Sequence, residues 1–217
     1  MTGLDDLRRK NDDLRRKNEA LHERTSRLAA AVRQINASLD PDTVLHEIVE
    51  STRVLTGARI AVIATIDEAG EPDDFTSSGL TPEEQRTLAA WPDGPRLFEH
   101  FRNLPGTLRL PDARAYVRSL GYALELVPPA AFQGTPMSHR GEYVGSFFVV
   151  AKEGGGEFTS EDEEVLVLLA SQAATAIANA RTHRAERRAP GGPEGLGGGP
   201  PGGGGGVGGG AGGGGVA

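Results

Sequence analysis

Cysteine is absent from the 217-residue chain, and its absence removes three kinds of chemistry. Without a thiol there is no disulfide, no thiol nucleophile and no cysteine-ligated metal. The chain also has no apolar run approaching the roughly 20 residues that a membrane-spanning helix needs, and its charged N-terminus lacks the apolar core of a secretory signal. These absences predict a cytoplasmic protein that does not contact membranes.

Groups of residues that could form a catalytic site are also missing. The five histidines stand at positions 22, 46, 100, 139 and 183, and no two of them have a metal-ligand spacing. The glycines at 154–156 lack the Lys-Ser/Thr of a phosphate-binding loop, and no serine lies in a nucleophile elbow. A net charge of −7 gives no reason to expect nucleic acid as a partner. We therefore predict a non-catalytic protein without a metal centre.

A seven-residue repeat opens the chain, where DDLRRKN occurs twice in succession. Apolar residues then recur every seven positions as far as Ile35, which predicts a coiled-coil helix over residues 1–39. Asparagine at two successive core positions favours a parallel, in-register pair at some cost in stability. The predicted dimer interface comprises Leu7, Asn11, Leu14, Asn18, Leu21, Leu28, Val32 and Ile35.

The residues that flank this stripe are basic or neutral, so two parallel copies would repel each other there. Three interpretations remain open. The favoured one is a weak homodimer held mainly by the heptads from Leu21 to Leu39. The second is a different partner protein with acidic flanking positions, and the third is a single amphipathic helix that extends the following domain.

The centre of the chain alternates between helix and strand signals. Asp40-Pro41 is typical of a capped helix start, and Gly57 of the end of the same helix. A β-branched run follows at once and predicts the first strand, over 59–67. Further signals predict strands over 75–79 and 108–110, and helices over 81–91, 97–103 and 111–120.

The C-terminal third of the chain carries the most specific pattern. Phe132 to His139 alternates apolar and polar residues like a half-buried strand, and Gly141 supplies a turn. Val144 to Ala151 is almost wholly apolar, which predicts a central strand covered on both faces. After a glycine loop, Thr159 to Asp162 reads as a capping box that starts a long amphipathic helix.

This region resembles the C-terminal half of a GAF domain, whose sequence hallmark is Asn-Lys, a variable gap, Phe, three residues and Asp-Glu. Lys152, Phe158, Asp162 and Glu163 match the hallmark, and Ala151 stands where the asparagine would be. The resemblance implies an α+β fold, a GAF/PAS-like antiparallel sheet with helices on both sides. From the residues alone, Lys152 and Asp162 are predicted to form an ion pair that closes the glycine loop onto the helix.

The resemblance also implies a ligand site between one face of the sheet and the helices and loops that cover it, here residues 97–129. The ligand is unknown. Haem is disfavoured because the segment before Phe132 carries no histidine, and covalent bilin is disfavoured because there is no cysteine. The candidate residues facing this pocket are Phe75, His100, Phe101, Leu108, Tyr122, Phe132, Gln133 and Thr135.

These signals divide the chain into a helix at 1–39, a GAF domain at 40–188 and a Gly/Pro-rich tail at 189–217 that is expected to be disordered. The expected function is a non-catalytic sensor or dimerisation module of two-component signalling. It is expected to bind a small ligand or to relay a conformational change through its flanking helices, with a second copy or another signalling protein as its partner. The alternatives are a ligand-free dimeric adaptor and the sensor portion of a histidine kinase whose output domain has been lost.

Overall fold

A computed structural model describes residues 3–35, 37–122 and 129–188 of the chain, with side chains between residues 6 and 184. A short 3-10 turn, Glu153–Gly155, links the last strand to the last helix. The elements are the helices α1 (Gly3–Ile35), α2 (Pro41–Thr56), α3 (Pro82–Ala89), α4 (Gly94–Arg102), α5 (Ala113–Ser119) and α6 (Ser160–Arg188), and the strands β1 (Ala58–Ile66), β2 (Pro72–Ser78), β3 (Leu108–Leu110), β4 (Phe132–His139) and β5 (Glu142–Lys152).

The five strands form one antiparallel sheet in the order β2-β1-β5-β4-β3. The apolar β5 lies at its centre, as its sequence predicts, and pairs with β1 on one side and β4 on the other. Helices cover both faces, so the predicted α+β fold with helices on both sides of an antiparallel sheet is confirmed. Residues 123–128 of the predicted pocket cover and the predicted tail, 189–217, lie outside the described residues.

Local chemistry sets the ends of these elements. Asp40 caps α2 by accepting a 2.9 Å hydrogen bond from the Thr43 amide, and Gly57 ends that helix with a left-handed φ of 62°. The hairpin between β4 and β5 turns through Arg140 and Gly141, whose φ angles of 52° and 86° suit a type I′ turn. These short signals account for the close agreement between the predicted and observed elements.

One face of the sheet is a closely packed core formed with α2 and α6. Ile48, Val49, Ile63 and Phe147 have no exposed surface there, and side chains of α6 interleave with them. The α6 residues that the amphipathic pattern predicts to be buried are all buried: Val165, Leu166, Leu169, Ala173 and Ile177. We call this side, formed by α2, α6 and the strand residues that face them, the packed face.

The opposite side of the sheet carries α3, α4 and α5, and we call it the cavity face. Its buried cluster is smaller and comprises Leu97, Phe101, Ala113, Val117 and Phe132, with half-buried side chains such as Phe148 and Val150 packed against it. Neighbouring residues of β5 therefore serve different layers, since Phe147 belongs to the packed face and Phe148 to the cavity face.

Helix α1 changes its surroundings along its length. Leu7, Leu14 and Leu21 are 60–66% exposed, while Ile35 is only 3% exposed and packs with Val32 against the core of the same chain. The prediction that Ile35 belongs to an interface with a second helix is therefore wrong, whereas Val32 keeps part of its surface exposed. Both side chains cover the domain's own packed face, because α1 turns into α2 directly after them.

Candidate functional site

A cavity of about 430 Å³ lies between the cavity face of the sheet and helices α3 and α4. Cavities of roughly 300–1,000 Å³ are typical of small-molecule sites in proteins. Val62 and Ala64 of β1 form its floor together with Phe148 of β5, and the edge strand β2 forms one wall. The other wall is formed by Leu88, Ala89, Trp91, Gly94, Pro95, Leu97, Phe98 and Phe101.

Aromatic rings dominate the lining of this cavity. The Phe101 ring stacks on the Phe132 and Phe148 rings, with centroids 5.3 and 6.3 Å apart. A smaller, wholly apolar space of about 90 Å³ adjoins the floor and is lined by Phe132 among others. The rings that line the large cavity are Phe75, Trp91, Phe98, Phe101 and Phe148.

The cavity has carboxylates at its edge and no lysine, arginine or histidine among its lining residues. Asp73 and Asp74 of β2 contribute these carboxylates, and both residues are exposed. The Asp74 carboxylate accepts a 2.7 Å hydrogen bond from the Phe75 amide. The electrostatic character of the site is therefore apolar and aromatic within, and acidic at one edge.

Contacts at the C-terminal end of α4 hold this helix over the cavity. Arg102 lies 5.5 Å from the centroid of the Tyr143 ring and donates a 3.4 Å hydrogen bond to the Gly70 carbonyl. Burial raises the pKa of the Tyr143 phenol, whose hydroxyl hydrogen-bonds to Ser146 at 2.7 Å. The guanidinium group of Arg102 is thus held away from the cavity that α4 covers.

The eight predicted ligand-contacting residues fall into three groups. Phe75 and Phe101 line the large cavity, and Phe132 lines the small one beneath it. His100, Leu108 and Tyr122 lie on the same side of the sheet but line neither space. The ring nitrogen of His100 hydrogen-bonds to the Tyr116 hydroxyl at 2.8 Å, and Tyr122 packs edge-on against Trp91.

Gln133 and Thr135 form the third group, and the expectation that they face the pocket is wrong. They pair across the ladder with Val149 and Phe147, both of which belong to the packed face. Directly opposite residues of an antiparallel pair share a face, so both side chains point away from the cavity. Gln133 is fully buried there, and neither of its side-chain polar atoms has a hydrogen-bond partner among the described residues.

Several lining residues escaped the sequence-based prediction. Trp91 lies in the short connection between α3 and α4, and its place beside the cavity depends on how those helices pack. Val62, Ala64 and Phe148 follow the strand alternation, which would have indicated them once the ligand-bearing face was known. Asp73 and Asp74 precede the strand predicted over 75–79, whereas β2 begins at Pro72.

The residues of the Asn-Lys…Phe…Asp-Glu pattern form a structural cluster at the start of α6. Lys152 and Asp162 form the predicted ion pair, with side chains that are 23% and 10% exposed. Asp162 also accepts a 2.8 Å hydrogen bond from the Thr159 amide, which completes the predicted capping box. Phe158 is buried beside the Lys152 ammonium. The Glu163 carboxylate lies 3.6 Å from the Arg109 guanidinium. None of these four residues lines the large cavity.

Within the described ranges, no three histidine, aspartate or glutamate side chains come together in an arrangement that could hold a metal ion. None of the helices in those ranges has an apolar stretch long enough to cross a membrane.

The fold and its cavity agree with the comparison to protein-family models. A model described as GAF domain matches residues 38–178, well over half of the 217-residue chain. The chain therefore belongs to the GAF domain family, the sensory and regulatory modules of signalling proteins, as its C-terminal hallmark predicts.

Solved structures of GAF domains show the same fold. The chain is similar to that of an Acinetobacter phosphoenolpyruvate-protein phosphotransferase, at 21% identity and TM-score 0.57, over 75% of this chain and 98% of that one. The corresponding domain from Coxiella burnetii gives 21% identity and TM-score 0.56, over 75% and 96% of the two chains. A domain of a putative two-component sensor histidine kinase from Sinorhizobium meliloti 1021 gives 20% identity and TM-score 0.50, over 70% and 100%.

Proposed function

We propose that the chain is a non-catalytic sensor and dimerisation module that acts in cytoplasmic signalling. A small ligand binds in the 430 Å³ cavity, and its binding changes the relation between α1 and α6. The observation that carries the proposal is the apolar, aromatic lining of this half-open cavity. A groove of about 590 Å³ between the β4–β5 hairpin and α6 is larger but has a mainly polar lining. Small-molecule sites are lined mostly by apolar and aromatic side chains, so the lining on the cavity face indicates a site for another molecule.

The strands that form the cavity are also in direct contact with the flanking helices. Thr65, Asp73 and Asp74 line the cavity and also a separate groove of about 80 Å³ between α2 and α6. Arg181 of α6 donates hydrogen bonds to the carbonyls of Ile66 and Val144, at the adjacent ends of β1 and β5. A ligand that moves the β1–β2 edge would therefore act on the position of α6.

Dimerisation is proposed to use the first part of α1. Leu7, Leu14 and Leu21 present three large apolar side chains to solvent along one stripe of the helix. A second copy of the chain that brings the same stripe would cover them, in the manner of a short parallel coiled coil. Further along the stripe Leu28 and Val32 are half-buried and Ile35 is buried in the domain, so the exposed interface is short and the dimer is expected to be weak.

Ligand binding is tested by native mass spectrometry of the purified protein and by thermal shift against a metabolite panel. The matched variants are Ala64→Leu, which fills the cavity, and Ala115→Leu, which adds the same volume on the exposed side of α5. We expect a bound compound or thermal shift in the parent and in Ala115→Leu, and its loss in Ala64→Leu. An apo mass with no shift for any compound would instead favour a ligand-free dimeric adaptor.

Dimerisation is tested by light scattering on Leu21→Glu and on Ala20→Glu. Both residues are exposed on α1, but only Leu21 lies on the apolar stripe. The first variant should be monomeric at concentrations where the second still dimerises, because a charge at the stripe must lose water on association. Equal molecular masses for the two variants would contradict an interface at this stripe.

A further inference from the structure

We infer that the ligand of the large cavity is a small organic cation with an apolar or aromatic body. This inference rests on the proposed function, since it specifies which class of ligand the sensor cavity accepts. It follows from the composition of the lining, which contains five aromatic rings, two carboxylates and no cationic side chain.

The aromatic rings supply the first part of the selectivity. The face of an aromatic ring is electronegative, so a nearby ammonium group is attracted to it, most strongly by tryptophan. Trp91 lies in the cavity wall, and Phe75 lies on the opposite wall within the same space. An amine or quaternary ammonium group between such rings gains this attraction, while an uncharged group of the same shape gains only contact area.

Asp73 supplies the second part of the selectivity, a negative charge at the edge of the cavity. It borders the cavity at a bulge in the β1–β2 ladder, between the pairs Ala64–Phe75 and Ile66–Pro72. No side chain in the described part of the chain makes an ion pair with Asp73 or Asp74. Both carboxylates border the cavity without an ion-pair partner, although they also border the groove that Arg181 and Arg184 line.

The arginines around the site have other partners or belong to other spaces. Arg96 pairs with Asp93 at 3.7 Å and lies over the Tyr122 ring, and Arg102 is held by Tyr143 and Gly70. Arg181 and Arg184 line the groove on the packed side of β2 and not the cavity. An anionic ligand such as a nucleotide or a carboxylate would find no lining cation to neutralise its charge.

The test uses three probes that share a benzyl group but differ in charge. Benzyltrimethylammonium is the cation, neopentylbenzene is its uncharged isostere, and phenylacetate is an anion. Trp91 is the chain's single tryptophan, so quenching of its fluorescence reports directly on this cavity. We expect the cation to bind roughly tenfold more tightly than the uncharged isostere, and the anion more weakly than both.

Two variants that each remove one negative charge test whether the preference for the cation depends on Asp73. Asp73→Asn should reduce the affinity for benzyltrimethylammonium about fivefold and leave neopentylbenzene binding unchanged. Glu71→Gln removes one negative charge from the same exposed segment but lies outside the lining, and it should leave all three affinities unchanged. Thermal melting of each variant shows that the fold is intact, which is expected because both positions are exposed.

The outcomes separate this inference from the proposed function. If the uncharged probe or the anion binds as tightly as the cation, or if Asp73→Asn and Glu71→Gln behave alike, cation selectivity is refuted while ligand binding in the cavity stands. If no probe quenches Trp91 and no metabolite binds either, both the inference and the sensor function fail. A cation preference that Asp73→Asn alone weakens supports the inference.

Discussion

The two faces of the sheet are built from the same five strands but are packed in different ways. On the packed face, the two long helices α2 and α6 pack directly against the sheet, and Phe147 and Ile63 have no exposed surface. On the cavity face, three short helices leave an aromatic space of about 430 Å³. A long helix can follow a strand along its whole length, whereas short helices joined by turns leave gaps between them. We therefore expect the packed face to provide most of the stability, and we propose that the cavity face provides room for a ligand.

The adjacent residues Phe147 and Phe148 allow the sharpest test of this comparison, because they lie on β5 and face opposite layers. Phe147→Ala is expected to lower the free energy of unfolding by about 4 kcal/mol, since it leaves a hole in a close-packed core. Phe148→Ala should cost only about 1–2 kcal/mol, because this half-buried ring already borders an open cavity. Denaturant unfolding measures both, and equal losses would show that the two faces contribute alike.

The reverse change, from small to large, uses two alanines of β1. Ala61 is fully buried on the packed face, and Ala64 lines the cavity. Ala61→Leu is expected to destabilise the protein by about 2 kcal/mol through overpacking. Ala64→Leu should change stability by less than about 0.5 kcal/mol, because its added methyl groups enter existing space. Thermal unfolding checks both, and a large loss for Ala64→Leu would mean that the cavity is not free to accept a side chain.

Gln133 is the exception on the packed face, since it is fully buried and both polar atoms of its side chain lack partners in the described part of the chain. Gln133→Met keeps the shape and removes these unsatisfied groups, so we expect the free energy of unfolding to rise by about 1 kcal/mol. Thr135→Val, on the same strand and face, removes a hydroxyl that has a partner at 3.2 Å and should not stabilise the protein. A loss of stability in Gln133→Met would show that the amide is hydrogen-bonded in solution.

The smallest expected effect concerns Glu50, which ties α2 to the end of β2. Hydrogen bonds from Arg53 and then from Ser78 hold the pKa of Glu50 below its ordinary value of 4.5. A carboxyl whose pKa is lower in the folded state stabilises the protein above pH 4.5 and loses this contribution as the pH falls through the folded pKa.

The matched variants for that effect are Glu50→Gln and Glu68→Gln. Because the Glu50 side chain is 44% exposed, solvent screening limits the expected loss in Glu50→Gln to about 0.5 kcal/mol at neutral pH. The difference from the parent should disappear in acid. Glu68→Gln changes an exposed residue outside these contacts and should behave like the parent at every pH. Urea unfolding at several pH values measures the effect, and a difference independent of pH would rule out the proposed linkage.

Most of the fold was predictable from local patterns. The cap at Asp40, the turn at Gly141 and the capping box at Thr159 act within a few residues of chain, so their effect is visible in the sequence. The apolar face of α6 is set by the 3.6-residue period of the helix. The hallmark around Lys152 and Asp162 indicated the family because its residues fix one particular junction between strand and helix.

The site was predicted less well, for reasons that concern distance along the chain. Alternation on β4 shows that Phe132 and Gln133 face opposite layers, but it does not show which layer holds the cavity. Trp91 and Asp73 come together only because α3 and α4 fold back over β2. The heptad pattern likewise groups Leu7 with Ile35, although one is exposed and the other is buried in its own domain.

Residue types and neighbours along the chain are enough to predict the helices and strands, the family, and the absence of disulfides and thiol chemistry. They do not predict which face of the sheet has an open space, which aromatic rings and carboxylates surround it, or where the apolar stripe of α1 becomes exposed. These properties depend on how helices pack across the sheet, and that packing brings together residues that are far apart in the chain.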